Sequence, residues 1–299
     1  METDSSTWTL FAALNRWALY SFMLLGAGSG LFILLTPVPA RVADAANTLG
    51  RIAALVAALC FVGAIGFGGA EIMTGSIETL LAVSTWQMGA GTSIGTSAAI
   101  GATAMLLLWC GLQWRIMLLI AAGAAGGLLS FLVTGHAATA SPVWLTAPAV
   151  AVHLLGAAYW IGALYPLYRS ATDLEPPVAG AVLIAFSNRA MWLVSGIVAS
   201  GVVISWVQLT TLNALWTTSY GDRLSVKILL FGAVLGLAAY NKLLLTPGIA
   251  AGAKDAALRL TRIIRVEFLL ILLILGAAVS LTLTEPPRGV LQGHGSSSP

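Results

Sequence analysis

Apolar residues along the chain fall into eight runs, separated by short polar, glycine-rich or proline-bearing stretches. A helix needs about 20 mostly apolar residues to cross roughly 30 Å of hydrocarbon. The pattern predicts spans at 10–35, 48–69, 92–109, 113–133, 146–168, 180–209, 224–245 and 261–283. Thr36-Pro37-Val38-Pro39 ends the first run and Pro286-Pro287 the last, because proline cannot continue a helix. Segment 70–91 carries Glu71, Glu78, Trp86 and Met88 and is only partly apolar, which predicts a short interfacial helix.

Composition supports that pattern. The chain has 299 residues, of which 59% are hydrophobic and 8% charged, with a mean hydropathy of +0.94. A soluble domain carries roughly 25% charged residues, so this chain cannot clothe a water-facing surface. The expected fold is an all-α polytopic membrane protein, one integral domain over 1–299. Four helices are expected in 1–133 and four in 134–287, with a disordered tail at 288–299 that holds His294. Glu2 and Asp4 stand where a signal peptide would be basic, so the first run is expected to be retained. Cys60 and Cys110 sit alone in apolar runs and are expected to be core residues.

Positive charge sets the orientation. One group of loops holds Arg41, Arg51, Arg115, Arg169, Lys242, Lys254, Arg259, Arg262 and Arg265, and Arg189 lies in the adjacent half of the sixth span. The other group, with both termini, holds Arg16, Arg223, Lys227 and Arg288. The split is ten against four, so the first group is assigned to the cytoplasm and both termini to the periplasm. Glycine occurs 32 times, and Gly91/Gly95, Gly123/Gly127, Gly232/Gly236 and Gly196/Ser200 have helix-packing spacing. The glycine-rich run from Gly26 to Gly30 lacks a following Lys-Ser/Thr and is not a phosphate loop.

Candidate chemistry concentrates in 134–169, which holds His136 and His153, two of the three histidines. An intramembrane histidine is costly and asks for a reason. On the fifth span His153, Gly156, Ala157, Trp160 and Leu164 share one stripe. His136 precedes it by a polar loop that Ser141-Pro142 and Pro148 are expected to bend back. Two neutral imidazoles suit copper, and thioether sulfur favours Cu+. Met88 and Met73 are the methionines of the outer loops, so His136, His153, Met88 and Met73 form one candidate metal site. The plainer reading is that His153 bonds a neighbouring helix and His136 caps a turn. On the inner side Arg189 and Glu267 are expected to pair beside Asn241, as a structural clasp or as an inner polar step for a cation. Lys227 and Asp222 read as interfacial charges.

Several stretches resemble the copper resistance protein D family of bacterial inner-membrane proteins. They are TGHA at 134–137, HLLGAAYWIGAL at 153–164, AFSNRA at 185–190, TTSYGDRLSVK at 217–227 and AAYNKLLLTP at 238–247, followed by Glu267. The resemblance is clearest over 134–287 and looser before it. It implies copper movement across the cytoplasmic membrane, usually uptake, with His136 and His153 as copper ligands (Cu+ or Cu2+) and Trp160 beside them. It also implies a separate periplasmic copper-binding protein of the copper resistance C type, since no such domain is fused here. A methionine-rich relay is absent.

No nucleotide-binding or phosphorylated-aspartate motif occurs, so the chain is expected to be neither an enzyme nor a nucleic-acid binder. Two other functions stay open. Two histidines on separate segments can ligate one haem iron axially, and a copper-handling assembly partner would need the same ligands without flux.

Overall fold

The computed structural model describes residues 2–73, 76–135 and 139–288, and among them it is helical with no strand. The helices are α1 (Glu2–Leu35), α2 (Ala40–Met73), α3 (Val83–Ala90), α4 (Ser93–Trp114), α5 (Met117–Ser130), α6 (Val143–Asp173), α7 (Pro176–Leu209), α8 (Ala214–Thr217), α9 (Ser219–Tyr240), α10 (Thr246–Ala250) and α11 (Lys254–Thr282). A 3₁₀ turn, Glu78–Leu81, precedes α3, and a π-helical turn, Asn241–Leu245, joins α9 to α10.

Seven helical stretches among the described residues are long and apolar enough to cross a membrane, with α9, the π turn and α10 counted as one. The fourth expected span is shorter than its apolar run: α5 has 14 residues. At 1.5 Å per residue it covers about 21 Å. Several helices extend beyond their apolar runs, because backbone hydrogen bonding continues past the hydrocarbon edge. Thus α2 begins at Ala40, among Arg41 and Asp44, and α6 runs on to Asp173. Pro148 lies inside α6 and not in the loop before it, whereas Ser141-Pro142 does turn the chain, with a cis peptide bond. Segment 70–91 does contain a short helix, α3, and it is docked: a Cβ on Gly69 would overlap the Thr85 carbonyl oxygen, and one on Gly89 that of Ile65.

One buried cluster takes side chains from both halves, from Leu19 and Met23 of α1 to Ile271 and Leu275 of α11. Its centre is α1, and the glycine-rich run explains why. Gly26 faces the Ala54 backbone on α2, Gly28 the backbone of Ala158 on α6, and Gly30 the side chains of Ile120 on α5 and Leu108 on α4. Residues two apart on a helix point to different sides and residues four apart share one, so Gly28 opens one side of α1 to α6 while Gly26 and Gly30 open another to α2, α4 and α5. The Gly123/Gly127 pair packs likewise, against Leu108 and Met105 of α4. Gly232 and Gly236 do not: nothing lies within 4 Å of a Cβ built on either. Spacing shows that a helix could be approached closely there but not that a neighbour comes.

The ends of the bundle carry different charges. At one end Arg41 and Arg169 meet Asp173, and Arg115 meets Asp44 at 2.6 Å. Arg51 bonds Gln113, and Arg265 donates to the Tyr168 hydroxyl at 3.0 Å. At the other end Arg16 donates to Thr282, and Arg223 to Ser280 and Thr284. These contacts group the basic residues as the loop assignment expects.

Helices α7 and α9 stand apart from the rest. Only 11% of the apolar window of each is buried, against 50% in α1 and α6. Helix α7 packs on α6 and α10, and α9 on α11, so the core supports both from one side.

Candidate functional site

His153 lies in the second turn past Pro148 in α6, and its ring is turned to α7. Nδ1 sits 3.2 Å from the Ile197 carbonyl oxygen and 3.3 Å from Ser200 Oγ. A neutral ring protonated at Nδ1 donates to Ile197, leaving Nε2 as the free lone pair. Gly201 lies against the ring, where a Cβ would make an ordinary contact 3.6 Å from His153 Cε1. The Ile197 carbonyl and the Ser200 hydroxyl are the polar groups that meet the imidazole.

Lys227 of α9 is close enough to act electrostatically on His153. At 1.5 Å per residue it lies about 12 Å into α9. It is partly buried and no hydrogen bond or ion pair to it occurs among the described residues. It is thus a partly buried cation within electrostatic reach of the imidazole. Two turns further along α6, Trp160 is buried and meets Phe231 of α9 edge to face, with ring centroids 6.4 Å apart. Tyr159 stacks on Phe186 of α7 and shares a buried 2.7 Å hydrogen bond with Thr36, just past the end of α1. Neither Lys227 nor the Thr36–Tyr159 bond stood out by spacing. Their signal was only that each is a polar group in an apolar run.

The inner polar group differs from its expected form. Glu267 of α11 is 3% exposed and accepts a hydrogen bond from Asn241 Nδ2 at 2.8 Å. It does not pair with Arg189, whose guanidinium instead donates to its own helix at the Ala185 carbonyl, 2.8 Å away. The reason is architectural: α7 packs on α6 and α10, whereas Asn241 at the end of α9 faces α11. Asn241 Oδ1 is buried without a hydrogen-bond partner. A carboxyl group and an unused amide oxygen therefore stand together at the π-helical turn. Glu267→Ala should lower the melting point measured in detergent, because it strands the buried Asn241 amide at about 1–3 kcal/mol. Glu267→Gln, which keeps an acceptor, should melt close to the parent.

The other candidate ligands are placed separately. Met73 Sδ accepts from Thr85 Oγ1 at 3.3 Å, where α2 meets α3, and Met88 is exposed on α3. Helix α3 packs on α2 and α4, while His153 faces α7. His136 lies outside the described residues, as does the tail from 289 onward with His294. Among the described residues no group of three or more His, Cys, Asp or Glu side chains is assembled. Cys60 and Cys110 are free and partly buried.

Comparison with known proteins adds one match. The family model described as copper resistance protein D matches residues 180–281. That range takes in nearly all of α7 and α11 and everything between, including Arg189, Lys227, Asn241 and Glu267. It begins beyond His153 and Trp160. No curated protein and no solved structure matches the chain.

Proposed function

We propose that this membrane protein, a member of the copper resistance protein D family by residues 180–281, carries copper inward across the bacterial cytoplasmic membrane. The observation that carries the reading is the family match itself, laid on helices that hold a broken line of polar side chains through an apolar bundle. In this reading all eight apolar helices cross, α5 with the help of its flanking turns, and both termini face the periplasm. The excess of basic residues at the Arg41–Arg169 end supports that orientation.

Copper, arriving as Cu+ or Cu2+ from a periplasmic donor of the copper resistance C type, meets His136 and His153 first. Met73 and Met88 serve as soft outer ligands at the same end. The free Nε2 of His153 is the ligand atom, since Nδ1 is engaged by α7. Lys227 opposes a cation there, so the ion must bring or find negative charge, or the ammonium must swing aside. Trp160 and Phe231 bound the path below. Asn241 Oδ1 and Glu267 offer oxygen ligands to the ion on its way in. An inward positive charge gains about 2.3 kcal/mol per 100 mV, so the membrane potential is a sufficient drive.

The test is copper flux into sealed vesicles containing only this protein, with an inward-negative potential. Copper accumulation that rises with the potential is expected. Stoichiometric copper binding with no accumulation would instead identify a partner that receives or hands over copper.

A further inference from the structure

Beside the π-helical turn lies a cavity that the transport reading does not use. The cavity, about 220 Å³, lies between α7 and the α9–α10 junction and is lined by Ile184, Ser187, Asn188, Lys242, Thr246 and Pro247. Lys242, inside the π turn, and Thr246, just after it, stand four residues apart and line the same cavity. Thr246 is only 7% exposed, yet its hydroxyl makes no hydrogen bond among the described residues. The side chains of Ser187 and Asn188 are likewise uncommitted. Among the described residues Lys242 has no carboxylate partner; its ammonium rests 3.7 Å from Met191 Sδ. A cation and three idle polar groups thus surround a space walled by Ile184 and Pro247.

Place decides what fills it. Ile184 lies about 12 Å along α7 from Pro176, at 1.5 Å per residue, so the cavity sits near the end of the bundle that carries Asp173 and Arg169. The surfaces beside it are apolar and bare: Leu243 is 69% exposed, Leu244 61% and Trp192 82%. In a membrane such surfaces face lipid. A cavity that opens among them below a lone ammonium fits a molecule with an acyl chain and an anionic head.

We propose that Ser187, Asn188, Lys242 and Thr246 form a binding site for one anionic phospholipid, its phosphate on Lys242 and the head of its acyl chain in the cavity beside Ile184 and Pro247. Interfacial lysines between membrane helices attract anionic lipids by charge, and the hydroxyls add hydrogen bonds to phosphate oxygens. The lipid would also cover the flank where α7 and α9 are least supported by protein.

Native mass spectrometry of the full chain, released from micelles with phosphatidylglycerol or phosphatidylcholine, tests this. The parent should retain one phosphatidylglycerol in preference to phosphatidylcholine. Lys242→Gln should reduce that preference roughly fivefold, the value of one interfacial cation. Ser187→Leu, which fills the cavity and keeps the charge, should lose the retained lipid of both kinds. Inorganic phosphate should not displace phosphatidylglycerol from the parent; displacement would make this a free-anion site and overturn the assignment. Equal retention of the two lipids by the parent would overturn it without any variant. Unchanged preference in Lys242→Gln, or unchanged retention in Ser187→Leu, would do the same. None of these readouts depends on copper, so their failure is separate from failure of the transport reading.

Discussion

Gly28→Leu and Gly162→Leu should each abolish the folded protein: no monodisperse peak in detergent, and no cooperative melt. The two glycines face one another where α1 crosses α6. A Cβ on Gly28 would overlap the Ala158 carbonyl oxygen and lie 2.9 Å from the Gly162 amide nitrogen, and one on Gly162 would overlap the Gly28 carbonyl carbon. The obstructing atoms are backbone on both sides, so no rotamer change relieves them. Overpacking that a flexible side chain absorbs costs about 1–3 kcal/mol. Here the helices themselves must separate, which takes the cost above that range. Separation would also strip Phe32, Tyr159 and Ala163 of their buried surroundings. Gly232→Ala with Gly236→Ala is the control. It adds side chains to a face of α9 that has open space beside it. Since alanine is a better helix former than glycine by about 1 kcal/mol per residue, that variant should melt no lower than the parent. A melting point several degrees below the parent would instead show that a neighbouring chain covers the α9 face.

His136→Ala combined with His153→Ala should bring copper accumulation down to that of cells lacking the protein. Losing both imidazoles removes the nitrogen ligands of the proposed entry site, and the outer methionines alone make a poor site for a cation beside Lys227. His153 also ties α6 to α7, so a structural loss must be told apart from a chemical one. Ser200→Ala does this: it deletes one partner of the ring while leaving the imidazole in place. It should keep most of the flux and lose only about 1 kcal/mol of stability, the worth of one hydrogen bond. His153→Gln, an amide that can still bond Ile197, should fold normally and carry no copper. Wild-type accumulation in a well-expressed double variant would remove the histidines from the path, leaving Asn241 and Glu267 as the polar step to examine.

The helical spans were legible because their cause is local. A backbone in hydrocarbon must satisfy its own hydrogen bonds, so a long apolar run has one outcome. Ends were less legible, since polar residues such as Arg41 and Asp44 extend α2 past the apolar run at no cost. His153 was found because a lone imidazole in an apolar helix is visible as composition. The expected Arg189–Glu267 pair failed for the opposite reason. Opposite charges at matching depth pair only if their helices adjoin, and α7 and α11 are held apart.

By itself, then, the amino-acid order determined that this chain is helical and membrane-bound, where its apolar runs lie, and which basic residues share an end. These follow from the solvent each stretch must occupy. Tertiary structure alone decided which glycines are crossings and which face open space, that Glu267 rests on Asn241, that Lys227 comes near His153, and that a cavity lies beside the π turn at Lys242. Each of those depends on which two helices meet, and neighbours are chosen by the packing of the whole bundle, which no single stretch encodes.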